Sequence, residues 1–308
     1  MLAADYSAFS LNAPAAGPTP EGRIARYALS RDYHRVLRKR LNRLQARIRS
    51  ETRQDAQFRQ TVDTSPVQER ALAEAAGLGF FGKNTCLIRP KGGSFFFLCA
   101  LITDLDLEPE ALPEKPWNCG ACSLCLEACP TGALTEPYRL DASRCISSLT
   151  IEHRGPIQPE LRPKMSTWIF GCDICQDVCP YNRNEGPALA EDFPATPAGK
   201  VTLSSILRCR SEEQFRTLFQ GTPLTRPGRE GLVRNGAIAA GNLRDESLIP
   251  ELADCLVRDP SPLVRSHAAW ALGQLDSKMA RRLLIEASAS EQDPAAKQEI
   301  IQALKKSI

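Results

Sequence analysis

Cys119-Gly-Ala-Cys-Ser-Leu-Cys-Leu-Glu-Ala-Cys129, followed by a proline, is the stretch around which this chain is organised. Its four cysteines are spaced C-x2-C-x2-C-x3-C. Further along, Cys172-Asp-Ile-Cys-Gln-Asp-Val-Cys179 repeats the last part of this spacing and is also followed by a proline. Short C-x2-C steps bring three thiolates together from one tight loop, and a fourth must come from elsewhere. The two runs therefore predict two thiolate-ligated metal centres.

The spacing is typical of the [4Fe–4S] clusters of bacterial ferredoxins, in which the fourth cysteine of each run binds the other run's cluster. Cys145, alone between the runs, then replaces the first cysteine that the second run lacks. Zinc also uses paired C-x2-C steps, and cysteines form disulfides, so both stay open as alternatives. The Cys-x3-Cys-Pro ending of both runs favours the clusters. The predicted ligands are Cys119, Cys122, Cys125 and Cys179 for the first cluster, and Cys145, Cys172, Cys175 and Cys129 for the second.

The composition restricts the class of protein. A length of 308 residues is enough for two or three domains with a sizeable core. No run of about 18 apolar residues is present, so no membrane span is expected, and the first residues lack a secretory signal. The cluster spacing makes a reducing cytoplasm the expected location. The net charge is only +3, so nucleic-acid binding would need a local basic patch.

A basic helix is predicted from Arg23 to about Arg53, because apolar residues recur in it at steps of four and three. Its cations form either a solvated face or a phosphate-binding surface for RNA or a phosphate-bearing cofactor. Arg26-Tyr27-Ala28 and Asp32-Tyr33-His34, near its start, either line a pocket or simply pack and cap the helix. The apolar stripe is Leu37, Leu41, Leu44 and Ile48, and the cations are Arg35, Arg38, Lys39, Arg40, Arg43, Arg47 and Arg49.

A second helix is predicted after Val62-Asp63-Thr64-Ser65-Pro66. Ser65 is its expected N-cap, Gln68 completes a capping box, and the helix ends at Gly77 or Gly79. Because Ser65 supplies the cap, Asp63 is free to reach into a cleft, although an acid there can also cap a neighbouring amide. Asp63 is therefore a candidate catalytic acid.

A glycine-rich turn, Gly77-Leu-Gly-Phe-Phe-Gly-Lys-Asn84, follows this helix and lacks the spacing of a Walker loop. Its glycines predict a close approach of the backbone to something flat or bulky. The run Phe95–Ile102 then reads as a buried strand. Asp104 lies at the end of that strand and is a second candidate acid, with an ordinary turn aspartate as the alternative.

Proline-rich segments divide the chain into three predicted domains. The first boundary lies between Pro109 and Pro116, and the second follows Pro187. Near the C-terminus, the segment that begins at Val233 resembles the one that begins at Val264, which is typical of HEAT-like helical repeats. The predicted domains are residues 1–112, an α/β (α+β) catalytic domain; residues 113–190, a bacterial ferredoxin-like domain with two [4Fe–4S] clusters; and residues 191–308, all-α HEAT-like repeats.

In combination, the motifs resemble those of the epoxyqueuosine reductase family over most of residues 23–185. Members of that family usually carry several dozen more residues before the segment that starts this chain, so one wall of the pocket is expected to be weakened or open. The motifs that carry the resemblance are Arg26-Tyr27-Ala28, Asp32-Tyr33-His34, Val62–Pro66, Gly82-Lys83-Asn84, Cys119–Leu134, Arg144–Glu152 and Tyr181-Asn182.

The resemblance implies a cobalamin-dependent oxidoreductase of tRNA modification. It would convert epoxyqueuosine at the wobble position to queuosine, with two [4Fe–4S] clusters passing single electrons to cobalt. Reduced cobalt would open the epoxide by nucleophilic attack or by electron transfer. The implied partners are a tRNA anticodon stem-loop and an external electron donor of the flavodoxin or ferredoxin kind, and the chain is expected to be a cytoplasmic monomer without membrane contact.

The resemblance also implies roles for single residues. Asp63 matches the proton donor, and for that role its pKa should be raised by burial against the corrin; Asp104 is the reserve. The segment 145–171 is expected to face cobalamin as well as a cluster, and no protein histidine is expected to bind cobalt. The residues assigned to cobalamin are Arg26, His34, Asp63, Ser147, Arg154 and Asp173.

Two other functions are compatible with parts of the sequence. A two-cluster electron carrier with a docking solenoid explains the cysteines and the repeats, but it leaves residues 23–105 without a task. A dehalogenase-like cobalamin reductase acting on a small molecule explains the cofactors. The basic helix and the repeats then have no evident use.

Overall fold

The computed structural model describes residues 1–6, 21–108, 117–183, 193, 196 and 201–306. The prolines that predict the two domain boundaries lie outside these ranges. Within them, no helix combines the length and the apolar character needed to cross a bilayer.

The first module is a mixed α/β unit built around one long strand. That strand, Phe96–Thr103, is central in a three-stranded antiparallel sheet, between Leu2–Asp5 and Phe58–Thr61. Its alternating aromatic and aliphatic side chains pack against the long first helix on one face. The elements are β1 (Leu2–Asp5), β2 (Arg23–Ile24), α1 (Tyr33–Thr52), β3 (Phe58–Thr61), α2 (Glu69–Ala75), β4 (Phe80–Phe81), β5 (Leu87–Ile88) and β6 (Phe96–Thr103).

Helix α1 begins ten residues later than the sequence predicts. Asp32 is its N-cap and accepts a hydrogen bond from the backbone N–H of His34. Arg23 and Ile24 instead form β2, because they pair in parallel with a strand of the next module. The predicted apolar stripe is confirmed, since Leu37 and Leu41 are buried against the sheet.

The second module contains the cysteine runs and has the short helices and hairpin of a two-cluster ferredoxin. Helices α3 and α5 contain Cys125 and Cys175 of the two runs and pack on each other. Asn182, just after the second run, fastens this module to the first, because its carboxamide oxygen accepts the N–H of Ser94 at 2.6 Å. The elements are α3 (Leu124–Ala128), β7 (Leu134–Glu136), β8 (Arg139–Leu140), α4 (Ile146–Ile151), β9 (Trp168–Phe170) and α5 (Ile174–Asp177).

The third module is helical, and its middle helices pack as the repeats predict. Helix α10 lies against α8, α9 and α12. The fold class predicted from the sequence, an α/β domain with a ferredoxin-like cluster domain and HEAT-like repeats, is thereby confirmed. The helices are α6 (Leu203–Leu207), α7 (Glu212–Phe219), α8 (Gly228–Leu243), α9 (Ile249–Arg258), α10 (Pro262–Leu272), α11 (Lys278–Ser290) and α12 (Pro294–Lys306).

The largest core crosses all three predicted domains, from Ile24 through the segment 145–171 to the repeats. Two buried polar side chains of α8 complete this junction. Arg234 donates to the carbonyls of three residues in the segment 145–171, and Asn235 donates to Thr150 and Ile169. Arg234 is fully buried and joins the helical module to the segment 145–171.

Candidate functional site

The first predicted set of cysteines lines one small cavity. Cys119, Cys122, Cys125 and Cys179 surround a space of about 40 Å³, together with Asn84 and other residues of the first module. Cys119 and Cys122 come from the loop that leads into α3, Cys125 lies in α3, and Cys179 follows α5. The structure thus brings together four thiols from both runs.

The second predicted set lies beside the first. The thiols of Cys129, Cys145 and Cys175 interact electrostatically with one another, and Cys172 interacts with Cys145 and Cys175. Burial raises the pKa of the Cys145 and Cys172 thiols. Cys145 reaches this group because it is the N-cap of α4, which the insertion places against β9.

All twelve cysteines of the chain are free thiols, so the disulfide alternative fails. Among the described residues, no three His, Cys, Asp or Glu side chains are close enough to hold one metal ion. Each ligand of a four-iron cluster binds a different iron atom, so such ligands stand farther apart than those of a single ion.

A cleft of about 430 Å³ opens in the first module between β6, α2 and the start of α1. Phe96, Phe97 and Leu98 give it an apolar floor, and Tyr33 and Asp63 form its polar side. The predicted second acid does not line this cleft. Asp104 lies exposed at the far end of β6 and accepts the N–H of Gln57 at 2.8 Å, which is the role of a turn aspartate.

The backbone holds Asp63 toward the cleft in a conformation unusual for its residue type. Its φ of 55° is left-handed, and both carboxylate oxygens of Glu69 accept its N–H at 3.0 and 3.1 Å. The predicted capping box is wrong, because α2 begins at Glu69 with Gln68 as N-cap and without a side-chain cap. The predicted end of α2 is confirmed by Gly77, which is left-handed just beyond it.

Three donors surround one carboxylate oxygen of Asp63. Tyr33 donates its hydroxyl to Oδ2 at 2.9 Å, Arg226 approaches to 3.2 Å, and Nε2 of His34 lies 3.5 Å away. Hydrogen bonding to His34, with smaller contributions from Tyr33 and Arg226, lowers the pKa of Asp63 to about 2. In this arrangement the three donors outweigh the burial of a side chain that is 46% exposed, and the expected rise in the pKa of Asp63, which depends on burial against the corrin, stays a prediction.

His34 carries the proton that Asp63 lacks. Its Nδ1 lies 2.7 Å from Oδ1 of Asp32, and this contact, followed by that with Asp63, raises the pKa of His34 to about 9. The ring stacks on Tyr33, which in turn stacks on Phe97. Nε2 is buried, and its 3.5 Å contact with Oδ2 of Asp63 is longer than a well-formed hydrogen bond.

Asp173 lies between two cysteines of the second group and is 2% exposed. Its Oδ2 accepts the backbone N–H of Arg26 at 2.8 Å. Burial raises the pKa of this carboxyl to about 7. The guanidinium of Arg26 pairs with Asp177 at 3.0 Å and covers the ring of Phe95, while its Nε is buried without a hydrogen-bond partner in the part of the chain described.

The remaining predicted residues lie on the segment 145–171. Ser147 is half-buried on α4. Arg154 donates to the carbonyls of Ile151 and Arg226, each at 2.8 Å. Arg154 therefore supports Arg226, the arginine that contacts Asp63. The two N–H groups of Arg154 that make these bonds already have acceptors.

Sequence reasoning missed two residues that position the cleft. Arg226 comes from the third module and also pairs with Glu152 at 2.8 Å, but no local motif marks it. The other is Glu69, which accepts the N–H of Asp63 from six residues further along the chain.

Exposed cations of α1 line a second cleft, of about 640 Å³, shared with the end of α7. Arg31, Arg35 and Lys39 form its basic side, and Thr217 and Gln220 face them. Elsewhere on α1, Arg47 pairs with Glu51, and Arg49 donates to a backbone carbonyl. The surface suited to phosphate is therefore the first half of α1.

Comparison with known proteins gives matches along the whole chain. Residues 118–182 match the family model of a 4Fe-4S double cluster binding domain, residues 1–64 match epoxyqueuosine reductase QueG, DUF1730, and residues 230–305 match HEAT repeats. The match to a 4Fe-4S double cluster binding domain favours iron–sulfur clusters over zinc.

Curated relatives and solved structures agree with these models. An epoxyqueuosine reductase of Pseudomonas aeruginosa is 47% identical over 258 residues, which cover 82% of this chain and 70% of the relative. An epoxyqueuosine reductase solved with an epoxyqueuosine-modified tRNA-Tyr stem loop has a TM-score of 0.90 at 34% identity, covering 99% of this chain and 80% of the other. A Bacillus subtilis epoxyqueuosine reductase, solved with its catalytic aspartate loop swung out of the active site, has a TM-score of 0.89 at 34% identity, with the same coverage.

Proposed function

Because this chain belongs to the epoxyqueuosine reductase family, we propose that it reduces epoxyqueuosine at the wobble position of a tRNA to queuosine, with cobalamin and two [4Fe–4S] clusters as cofactors. The reaction consumes two electrons and two protons, and the epoxide oxygen leaves as water. The observation that carries the proposal is Asp63, held in a left-handed conformation at an aromatic cleft with its carboxylate next to a protonated histidine.

The His34–Asp63 pair is the proton source in this proposal. Near neutral pH the proton resides on His34, whose pKa is about 9, and Asp63 is ionised. As the epoxide opens, the oxygen that gains negative charge needs a proton, and a positioned acid typically contributes about 10²–10⁴-fold. The proton would pass from Nε2 of His34 across the 3.5 Å gap to Asp63 and from there to the substrate oxygen.

The polar residues near the cleft suit a large ring with an amide fringe. Asp173, with a pKa of about 7, can donate or accept a hydrogen bond, and the buried Nε of Arg26 is a donor without a hydrogen-bond partner within the described chain. We assign Asp173, Arg26, His34 and Ser147 to cobalamin binding. When bound, cobalamin supplies a cobalt ion that accepts single electrons and is a strong nucleophile once reduced. Arg154 instead holds Arg226 in place.

The two groups of cysteines are assigned to the clusters as the ferredoxin pattern predicts. Asp173 sits between two ligands of the second cluster, so a cofactor bound there would lie close to that cluster. The electrons would enter from an external donor of the flavodoxin or ferredoxin kind. Asp173 thus links the electron path with the cofactor site.

The tRNA stem-loop is assigned to the basic cleft beside α1. Arg31, Arg35 and Lys39 are exposed there and lie close to Asp32 and His34 in the sequence. RNA loops are recognised through phosphates and splayed-out bases, so a basic surface next to a cleft is the expected arrangement. A relative solved with an epoxyqueuosine-modified tRNA stem loop supports a tRNA partner.

The test is anaerobic reconstitution followed by two assays. The chain should bind about eight irons, bind cob(II)alamin with a changed EPR spectrum, and convert epoxyqueuosine in a stem-loop to queuosine. Asp63→Asn should slow conversion by about 10²–10⁴-fold with cobalamin and iron still bound. Asp104→Asn is the matched control and should keep the wild-type rate.

Two results would contradict the proposal. An Asp63→Asn variant that turns over at the wild-type rate would remove Asp63 from the chemistry. A chain that carries both clusters but binds no cobalamin would favour an electron carrier instead.

A further inference from the structure

The loop that carries Asp63 lies on the surface of the first module. It joins the end of β3 to the start of α2, and none of residues 63–68 is buried. Packing in the core therefore cannot fix the direction in which the side chain of Asp63 points. Polar contacts must do so.

The backbone at Asp63 forms a tight turn. The N–H of Thr64 donates to the carbonyl of Val62 at 2.6 Å, and φ of Asp63 is 55°, so a γ-turn is centred on Asp63. The form of this turn with positive φ is rare and strained. A strained conformation persists only where the surrounding structure holds it. Asp63 therefore needs a partner outside the turn.

Glu69 is a partner of this kind. It is the first residue of α2, and both of its carboxylate oxygens accept the N–H of Asp63, at 3.0 and 3.1 Å. Strand β3 pairs with β6, and α2 packs on β6, so both ends of the loop are anchored to the same strand. Glu69 joins the strained turn to this base.

The contact with Glu69 differs from those of the three donors around the carboxylate. Tyr33, His34 and Arg226 all lie against Oδ2 of Asp63, and their attraction to it weakens once Asp63 takes up a proton. Glu69 binds the backbone N–H, which is the same in both protonation states. The bond to Glu69 can therefore hold Asp63 in one place before and after a proton transfer.

We propose that Glu69 is a positioning residue that keeps the carboxyl of Asp63 in place throughout the proton transfer by holding its backbone N–H. The inference rests on the proposed function, in which Asp63 passes the proton to the substrate. A hydrogen bond from an N–H to a carboxylate is stronger than one between neutral groups. Without it, Asp63 would leave the strained turn, and its carboxyl would lose the 3.5 Å contact with His34.

The first test measures the pKa of His34 by NMR in the chain without cofactors. Glu69→Ala and Glu69→Gln both remove the negative charge, but glutamine keeps an oxygen that can accept the N–H of Asp63. The pKa of His34 should therefore fall by about one pH unit more in Glu69→Ala than in Glu69→Gln. Adding Asp63→Asn to Glu69→Ala should cause almost no further fall, because the two changes remove the same contact.

Glu74→Ala is the matched control. Glu74 also lies on α2 and also accepts a backbone N–H, that of Phe81 at 3.2 Å, but it does not contact the loop that carries Asp63 in this way. The pKa of His34 should be unchanged in Glu74→Ala.

The second test is turnover of the reconstituted enzyme. Glu69→Ala should lower kcat by about 10²-fold, which is the scale expected when a reacting group is displaced by roughly 1 Å. Cobalamin affinity and KM for the modified stem-loop should stay constant, because Asp63 is displaced and the binding surfaces are not. Glu69→Gln should keep most of the wild-type kcat.

Two results would overturn the inference. Equal pKa values of His34 in the alanine and glutamine variants would show that Asp63 is held without Glu69. A loss of turnover in Glu69→Gln as large as that in Glu69→Ala would show that the charge of Glu69 matters and its hydrogen bond does not. The pKa is measured without cofactor or substrate, so a protein that fails to reduce epoxyqueuosine would still show whether Glu69 holds Asp63.

Discussion

Replacing Asp63 by Asn tests the pairing with His34 without any cofactor. The chain has three histidines, so the imidazole signals can be followed by NMR and assigned with one His34→Gln variant. In the wild-type protein, His34 should titrate near pH 9. In Asp63→Asn the negative charge near Nε2 is lost, and the pKa of His34 should fall.

The expected fall in the pKa of His34 follows from its contacts with the carboxylates of Asp32 and Asp63. The rise from 6.5 to about 9 corresponds to roughly 3 kcal/mol at about 1.36 kcal/mol for each pH unit, and solvent screening of a half-buried ring reduces this to about half. Asp32 is the nearer carboxylate, at 2.7 Å against 3.5 Å for Asp63. We therefore expect Asp63→Asn to lower the pKa of His34 by about one pH unit and Asp32→Asn to lower it further.

The direction of the pKa shift of His34 also determines how the stability of the fold depends on pH. Because the pKa of His34 is raised in the folded protein, the pairing stabilises the fold fully below pH 6.5, and the stabilisation is lost as the pH rises through about 9. Proton delivery should fail over the same upper range. A wild-type His34 that titrates near pH 6.5, or a larger effect of Asp63→Asn than of Asp32→Asn, would refute the reasoning.

Three further predictions address the surroundings of this pair. Arg226→Gln removes a cation 3.2 Å from Asp63, so the pKa of Asp63 should rise and turnover should fall while the iron content, measured in the same sample, stays constant. Arg35→Gln should weaken stem-loop binding and make the slope of log K against log salt less steep by about 0.7–0.9 in a salt titration, and an unchanged slope would exclude a phosphate contact. Gly93→Ala should lower the free energy of unfolding by more than about 1 kcal/mol in denaturant titration, because a Cβ there would lie 1.9 Å from Oδ1 of Asn182 and φ is +66°; equal stability would contradict this.

The cysteine groups could be predicted because their geometry is local. A C-x2-C step places two thiols on one tight loop whatever surrounds it. Only the position of the fourth cysteine, which comes from the other run, depends on the overall fold. The buried strand β6 and the stripe of α1 follow from periodicity in the same way. The start of α1 could not be predicted, since Arg23 and Ile24 are recruited by pairing with β9, which lies about 145 residues later.

The protonation of the site could not be predicted for a similar reason. A carboxylate takes its pKa from every group around it, and Asp63 has donors from α1 and from the third module. The sequence places Asp63 on a loop but contains no sign that Arg226 reaches it across 163 residues. From the sequence, only burial by a cofactor can be considered, and burial raises the pKa of Asp63 whereas the donors lower it.

These long-range contacts make the candidate site a property of the assembled chain. Arg226 of the helical module contacts Asp63, Lys83 of the α/β module donates its backbone N–H to Cys119, and Asp173 of the cysteine-rich module accepts the N–H of Arg26. Each module therefore contributes a contact to another module, and one continuous core joins all three. A helical module that only bound RNA would have no need of an arginine 3.2 Å from Asp63. If Asp63 delivers the proton as proposed, the repeats and the α/β unit must keep a fixed geometry.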